Sequence, residues 1–307
     1  MYNLYKKVHL LETGETVGTG WLPQMPDLND YTLEHSKIKD MVSKIKINSD
    51  NLTLPSSVDL REWCSPIENQ LNLGSCSAHA AVGLVEYFEK KVNGKFIEGC
   101  HLFLYKTTRN LMQLSGDTGA WLRNAMSALV LFGVPNEKYL PYSFDGKFVN
   151  PNWDNEPNAF LYSLANNYKT VKYFCHDPQG SIIPTKDVLS TVKQYLAAGI
   201  PSMFGFWGFP SFNNSNIPGG IPYPCQGEYA QWGHAVATVG YDDNKKIINT
   251  KNNKETTGAL LIRNSWGNKW GENGFGWLPY NYIINKLACD FWSLISMDWV
   301  DSGQFGI

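Results

Sequence analysis

The sequence has no long hydrophobic run and few charges. No stretch of 18 apolar residues occurs among its 307 residues, so we expect no membrane span. Charged residues make up 18% of the chain and the formal net charge is -2, without a basic stripe or an acidic tail. Because binding to phosphate backbones depends on clustered Lys and Arg, nucleic acid is not an expected partner. Lys6 and Lys7 are not followed by the apolar core of a secretion signal.

Histidine and cysteine are scarce, with six of each in the chain. Structural zinc sites usually combine two Cys or His pairs at short spacing, and no second such pair occurs in this sequence. His79 follows Cys76 by one helical turn, which allows a metal pair, but packing or hydrogen bonding is the better interpretation of His79. The sequence therefore predicts no metal and no cofactor.

Three separated segments are suited to acyl transfer. Cys76 follows Gly-Ser at a predicted helix start, six positions after Gln70, and the first turn of a helix favours a thiolate. Downstream, His234 can supply a general base and Asn264 an amide that orients it. Taken singly, Cys76 could be a buried structural thiol and His234 a structural histidine. The three segments together favour nucleophilic catalysis.

The first half of the chain is predicted to be helical and the second half strand-rich. Helices are predicted from Cys76 to Gly94, from about Gly119 to Gly133 and from Thr185 to Gly199, where glycines end them. Short runs rich in Val, Ile and aromatic residues predict antiparallel strands at 203–206, 234–241, 258–264, 274–278 and 291–297. Segregation of this kind predicts an α+β protein of two lobes with its site in the cleft between them.

The pattern divides the chain into three parts. Residues 1–52 are predicted to be an N-terminal extension and possible propeptide, 53–160 a mainly helical lobe that carries the nucleophile, and 161–307 a β-rich lobe that carries the histidine and asparagine. Turn-forming residues predict an extended path after Gly18, and the spacing of Ile38, Met41, Val42 and Ile45 predicts a short helix. We hypothesise that Gly20–Tyr31 blocks or borders the active site and that the helix from Ile38 to Ile45 anchors it.

Five motifs follow one another within residues 53–297: Pro55–Arg61 (PSSVDLR), Gln70–Ala80 (QLNLGSCSAHA), Asp117–Ala120 (DTGA), Gly233–Val236 (GHAV) and Asn264–Gly267 (NSWG). In this order they resemble the motifs of papain-family cysteine peptidases. Leu73 and Ser77 stand where papain and the cathepsins have Cys and Trp, which suggests a divergent, microbial-like branch. The resemblance implies a papain-like fold with a helical left lobe and an antiparallel, barrel-like right lobe. It also implies a disulfide between Cys225 and Cys289.

The resemblance further implies a role for each matched catalytic residue. Cys76 is the nucleophile, with a strongly lowered thiol pKa, and His234 pairs with it and protonates the leaving amine. Asn264 holds the imidazole, and Trp266 shields that hydrogen bond from water. The side-chain amide of Gln70 and the backbone N–H of Cys76 form the oxyanion hole.

Substrate contacts are implied in the same way. Thr118 and Gly119 match the wall that pairs with the substrate backbone as an added strand. The pocket for the side chain two residues before the cut includes Ala120, Trp121, Phe204 and residues 291–295, which are apolar. The predicted function is therefore an endopeptidase that prefers a hydrophobic residue at that position, and the 208–231 loop is long enough to overhang the leaving-group side.

Two other functions share this site. An acyltransferase or transpeptidase would pass the acyl group to an amine, and an inactive homologue would only bind peptides. The predicted partners are polypeptide substrates and the chain's own N-terminal segment as an inhibitor, in a protein that is monomeric and made as a zymogen. The cysteine count leaves the compartment open, and we favour a secreted or lysosome-like, vesicular location.

Overall fold

The helical lobe is built around one central helix. The computed structural model describes residues 6–27, 30–36, 38–39, 54–167 and 170–297. Its helices in this lobe are α1 (Cys76–Asn93), α2 (His101–Leu111), α3 (Leu122–Leu131) and α4 (Ala159–Ala165). Every residue of α1 from Cys76 through Glu89 is buried. This helix ends because Gly94 adopts the left-handed conformation, with a φ of 69°.

The second lobe is an antiparallel sheet. Its strands are β3 Ser57–Asp59, β4 Thr170–Cys175, β5 Ser202–Gly208, β6 Trp232–Asn249, β7 Lys254–Arg263, β8 Phe275–Pro279 and β9 Ala288–Met297, with helices α5 Thr185–Ala197 and α6 Tyr280–Ile284. The main strands run in the spatial order β4-β9-β5-β6-β7-β8, and β3 pairs separately with β6. Helix α1 packs against β6, so the start of the helix faces the sheet lobe. The predicted two-lobe α+β fold is confirmed.

Most of the predicted elements of the two lobes are present. The helix predicted from Gly119 begins at Leu122, because Gly119 itself has a left-handed φ of 76°. Helix α2 and strand β4 were not predicted from the sequence. The helix predicted for residues 38–45 lies outside the described residues beyond Lys39. Among the helices that the structure describes, none is long and apolar enough to cross a membrane.

The N-terminal segment packs across both lobes. Strands β1 (Lys7–His9) and β2 (Thr16–Gly18) form a hairpin that buries Leu10 and Val17 in the hydrophobic cluster of the sheet lobe. The side chain of Asn213, in the 208–231 loop, hydrogen-bonds the backbone at both His9 and Leu11. The long loop predicted to overhang the cleft thus holds the hairpin.

The predicted disulfide between Cys225 and Cys289 is not present, since both are free thiols. Cys289 lies opposite Gly205 on β5, which pairs with Ala235 near the start of β6. The sulfur of Cys225 lies 3.5 Å from the side chain of Asn249, at the far end of β6. A disulfide requires Cα atoms within about 7 Å, and the length of β6 separates these two sites.

Candidate active site

Cys76 is the first residue of α1 and is completely buried. Burial raises the pKa of its thiol to about 11, although the backbone N–H groups of Ala235, Gly20 and Ser77 lower it by hydrogen bonding toward the sulfur. The thiol is therefore neutral in this structure, in contrast to the thiolate expected from the sequence. The Ala235 contact comes from the residue after His234, so β6 brings the predicted base to the nucleophile.

His234 and Asn264 form the predicted pair. The Nε2 atom of His234 lies 2.8 Å from the Oδ1 atom of Asn264, which also accepts a hydrogen bond from the backbone N–H of Ser265. An oxygen that accepts from a backbone N–H places the ring proton on Nε2 and leaves Nδ1 as a base. The Trp266 ring stacks on the His234 ring with centroids 4.3 Å apart and is itself completely buried. Burial lowers the pKa of His234 to about 4, which also favours the neutral base.

Hydrogen bonds engage both the oxygen and the nitrogen of the Gln70 side-chain amide. Its Oε1 atom accepts a 2.5 Å hydrogen bond from the hydroxyl of Ser265. Its Nε2 atom donates to the carbonyl oxygens of Leu73 at 2.8 Å and of Gly18 at 3.1 Å. A carbonyl from the N-terminal segment thus holds the donor that the sequence assigns to the oxyanion hole.

The N-terminal segment continues through the cleft as an added strand. The Ala120 N–H donates to the Gly20 carbonyl at 2.8 Å, and the Leu22 N–H donates to the Ala120 carbonyl at 3.2 Å. On the opposite wall, the Trp21 N–H donates to the Gly233 carbonyl at 3.1 Å. Both walls of the cleft therefore pair with residues 20–22.

Only glycine fits where this strand passes the start of α1. A Cβ atom on Gly18 would lie 2.2 Å from the Leu73 carbonyl oxygen. A Cβ atom on Gly20 would lie 2.1 Å from the Gly74 carbonyl oxygen, and real Cβ contacts are never that short. The Gly-Thr-Gly sequence thus lets the segment pass close to the backbone carbonyls of Leu73 and Gly74.

The predicted substrate wall is shifted by one residue. The Gly119 N–H donates to the hydroxyl of Tyr105, and the Thr118 hydroxyl donates to the Gly119 carbonyl. Ala120 instead makes the backbone pairs with the segment. Phe204 lies away from the cleft, because successive side chains of β5 face opposite sides and the neighbouring Gly205 faces Trp21. Its ring stacks on Phe291 in the core of the sheet lobe.

A second cluster of titratable groups lies behind the nucleophile. Donor atoms of Glu68, His79 and His101 lie within 4.8 Å of one another, a spacing that could hold a metal ion. His101 also bridges two carboxylates, with Glu68 2.7 Å from its Nε2 and Glu137 3.0 Å from its Nδ1. Burial alone lowers the pKa of His101, but these two carboxylates raise it well above 6.5. In the structure, the cluster is thus a pair of ion pairs that share the buried imidazole of His101.

Asp117, the first residue of the DTGA motif, lies close to the loop before Cys76. Its carboxylate accepts hydrogen bonds from the Gly74 N–H at 2.9 Å and from the Tyr105 hydroxyl at 2.8 Å. It therefore fixes the loop that precedes Cys76. Asp117 is in the motif shared with the family, but its partner Tyr105 lies in α2, which the sequence did not predict.

Residues 54–291 match the family model described as "Papain family cysteine protease". Since this match spans most of the sequence, the chain belongs to the papain family of cysteine proteases and is a hydrolase of the peptidase class. The resemblance inferred from the five motifs is thereby confirmed.

Similar proteins come from viruses, bacteria and plants. An uncharacterized peptidase C1-like protein of Acanthamoeba polyphaga mimivirus is 29% identical over 291 residues, covering 89% of this chain and 85% of that protein. Xylellain, a cysteine protease from Xylella fastidiosa, is 29% identical with a TM-score of 0.68, covering 91% of this chain and 96% of that one. Oryzain beta chain of Oryza sativa subsp. japonica is 28% identical over 240 residues, covering 77% of this chain and 44% of that protein.

Proposed function

We propose that this protein hydrolyses peptide bonds with Cys76 as nucleophile and His234 as base and acid. The observation that carries the proposal is the hydrogen bond of His234 Nε2 to Asn264, beside the contact of Ala235 with the Cys76 sulfur. It leaves the basic Nδ1 atom of His234 without a hydrogen-bond partner among the described residues. Thiol and base are thus supplied by different lobes.

The chemistry follows the usual two stages of acyl transfer. His234 takes the thiol proton, the sulfur of Cys76 attacks the substrate carbonyl carbon, and the carbonyl oxygen becomes an oxyanion. The Gln70 amide and the Cys76 backbone N–H donate to that oxyanion. The imidazolium then protonates the leaving amine as the C–N bond breaks. In the second stage His234 deprotonates a water molecule, whose oxygen attacks the thioester carbonyl. The C–S bond then breaks, the acid is released, and the imidazolium returns the proton to the Cys76 sulfur.

We further propose that residues 1–52 are the inhibitory part of a zymogen. The Gly18 carbonyl holds the Gln70 amide, and the Gly20 N–H is directed at the sulfur of Cys76. The segment therefore occupies both the oxyanion-hole donor and the sulfur that a substrate would need. The Asp30 carboxylate binds the Arg123 guanidinium through two contacts of 2.5 and 2.6 Å, which supports the path of the segment beyond the cleft.

The experiment compares peptide hydrolysis by three chains. We expect low activity in the full-length chain, at least tenfold higher activity in a chain that starts at Thr53, and none in Cys76→Ser. Reaction with an epoxysuccinyl inhibitor followed by intact-mass measurement gives the fraction of competent sites in each. Equal activity per competent site in the long and short chains would reject the zymogen, and full activity in Cys76→Ser would reject the nucleophile.

A further inference from the structure

Trp21 fills a flat slot beside the nucleophile. Its side chain is 1% exposed. A Cβ atom on Gly205 would lie 2.0 Å from its indole ring, and one on Gly233 would lie 2.9 Å from it, so the absence of side chains at both positions makes the slot. Trp207 packs edge-on against the ring, with centroids 4.8 Å apart. The slot therefore fits a planar group.

A carboxylate forms the floor of this slot. The Trp21 indole N–H donates to Oδ2 of Asp290 at 3.1 Å, and the Trp292 indole N–H donates to Oδ1 at 2.6 Å. Asp290 is 1% exposed. A buried carboxylate is stabilised only while its oxygens accept hydrogen bonds or face a cation. When Trp21 leaves the slot, Oδ2 of Asp290 therefore loses this hydrogen-bond donor, and a ligand in the slot has to supply a new one.

The backbone is distorted to direct this carboxylate into the slot. Asp290 has a left-handed φ of 70°, which is uncommon for a residue other than glycine. It lies at an irregularity of β9, where Met203 pairs with Trp292 but Gly205 pairs with Cys289. The Asp177 carboxylate accepts the backbone N–H groups of Asp290 and Phe291 at 2.8 and 2.6 Å and holds this bulge. Bulges beside active sites commonly re-aim a side chain.

The charge state agrees with a role in binding donors. Burial raises the pKa of Asp290 to about 6, while the Trp292 and Trp21 indoles, and the charge of Arg123, lower it. At neutral pH the carboxylate is thus ionised. The charge of Asp30 raises the pKa of Asp290 further.

We infer that Asp290 makes this pocket select substrate side chains that are planar and carry an N–H donor, with tryptophan first and arginine second. This inference rests on the proposed peptidase function and replaces the hydrophobic preference expected from the sequence. Trp21 enters from a strand that pairs with Ala120 and Gly233, so its side chain occupies the position of a substrate side chain next to that wall. Phenylalanine or leucine would bury the Asp290 oxygen without a partner, which a site built for a donor rejects strongly.

The first test uses the full-length chain and needs no peptidase activity. The rate at which iodoacetamide modifies Cys76, located by peptide mass mapping, reports how often the segment leaves the cleft. We expect Trp21→Phe and Asp290→Asn each to raise this rate roughly tenfold, which corresponds to the loss of one hydrogen bond to a charged group. Because both changes remove the same hydrogen bond, the rate in the double variant should be close to the rate in either single variant. Trp207→Phe is the control, because it shortens a side chain that lines the same slot and keeps the hydrogen bond from the Trp21 indole to Asp290. Additive effects of the two changes, or no effect of Trp21→Phe, would overturn the inference.

The second test compares substrates and does not depend on an Asp290 variant that folds. Peptides with tryptophan or with naphthylalanine, which has the same shape and no N–H, are cleaved by full-length Gly20→Ala, whose added methyl displaces the segment. We expect kcat/KM at least tenfold higher for tryptophan, and higher for arginine than for leucine. Equal kcat/KM for tryptophan and naphthylalanine overturns the inference while the peptidase function stands. If no peptide is cleaved, the peptidase proposal fails, and the labelling experiment still decides the role of Asp290.

Discussion

At the scale of single residues, the hydrogen bond from Nε2 of His234 to Asn264 leaves Nδ1 as the nitrogen available for the proposed base. We expect Asn264→Ala to lower kcat/KM roughly 10- to 100-fold, because the imidazole loses its orientation while the nucleophile stays in place. Initial rates with a fluorogenic peptide, normalised by inhibitor titration, measure the loss.

Asn150→Ala is the matched control for this change. Asn150 is also buried, and it donates to the Pro141 carbonyl in the helical lobe. Its removal should lower the thermal midpoint without lowering kcat/KM per titrated site. A loss of activity equal in both variants would contradict the role given to Asn264.

The Cys76 thiol yields a prediction about pH. Burial raises the pKa of this thiol to about 11, so the thiol form is favoured at pH 7 in the full-length chain. Burial is the main cause, so displacement of the segment by Gly20→Ala should lower the pKa and move alkylation of Cys76 to lower pH. Iodoacetamide rates measured from pH 5 to 10 test this. Identical pH profiles in the two chains would show that the segment does not control ionisation.

Residue types and their order were enough to select Cys76, Gln70, His234 and Asn264 as candidates, because each expected role requires one kind of side chain at a fixed point of the motif. Their catalytic roles stay predictions. The sequence placed Phe204 in the pocket wrongly, since the face on which a strand residue lies depends on register. The orientation of Asp290 could not be predicted from the sequence for a related reason. Its orientation comes from a bulge and from Asp177, more than a hundred residues earlier in the chain.

At the scale of elements, the ion pair between Arg123 on α3 and Asp30 ties the N-terminal segment to the helical lobe. The Asp30 side chain is only 4% exposed, so Arg123→Gln leaves a buried charge without its partner. We expect the segment to detach more often and the alkylation rate of Cys76 to rise at least tenfold at constant pH.

Arg61→Gln is a close control for that variant. Arg61 also binds a carboxylate, Asp59, through several short contacts, but both side chains are at least 36% exposed. An exposed pair contributes little, so this change should leave the alkylation rate unaltered. A similar rise in both variants would mean that the rate reports general loosening of the fold.

Helix boundaries followed well from the sequence where glycine ends a helix, as at Gly94. Helix α2 was missed because Cys100, the residue before it, is not a usual N-cap residue, although its sulfur accepts a hydrogen bond from the Phe103 N–H. The position and composition of the N-terminal segment were enough to suggest an inhibitory role as a hypothesis. The path of the segment could not be predicted, because the fit of Gly18 and Gly20 depends on carbonyl groups of the loop before α1.

At the scale of the whole molecule, the buried cluster around His101 joins the loop before Gln70 to the helical lobe. We expect His101→Gln to destabilise the fold by about 3–5 kcal/mol at pH 6, because Glu68 and Glu137 lose a shared cation. The pKa of His101 is raised on folding, so its contribution is complete below 6.5 and is lost as pH rises through the higher folded value. Denaturant unfolding of both chains should therefore show a deficit that shrinks at alkaline pH.

His176→Gln separates this effect from general loss of a buried histidine. His176 is also buried, its Nε2 atom lies 2.9 Å from the Ser293 hydroxyl, and burial lowers its pKa to about 3. Its deficit should not shrink as pH rises above 7. Parallel pH dependence in the two variants would contradict the ionic role of His101.

The strand in the cleft and the helix it covers belong to one polypeptide, joined through residues 40–53. A ligand tethered by a short linker meets its site at an effective concentration of about millimolar, whatever the dilution of the protein. One cut in that connection turns the same contacts into an ordinary two-component complex. After such a cut, the strand would stay bound at high protein concentration and dissociate on dilution. Cleavage of the connection and release of the strand would then be separate events, and only release would depend on concentration.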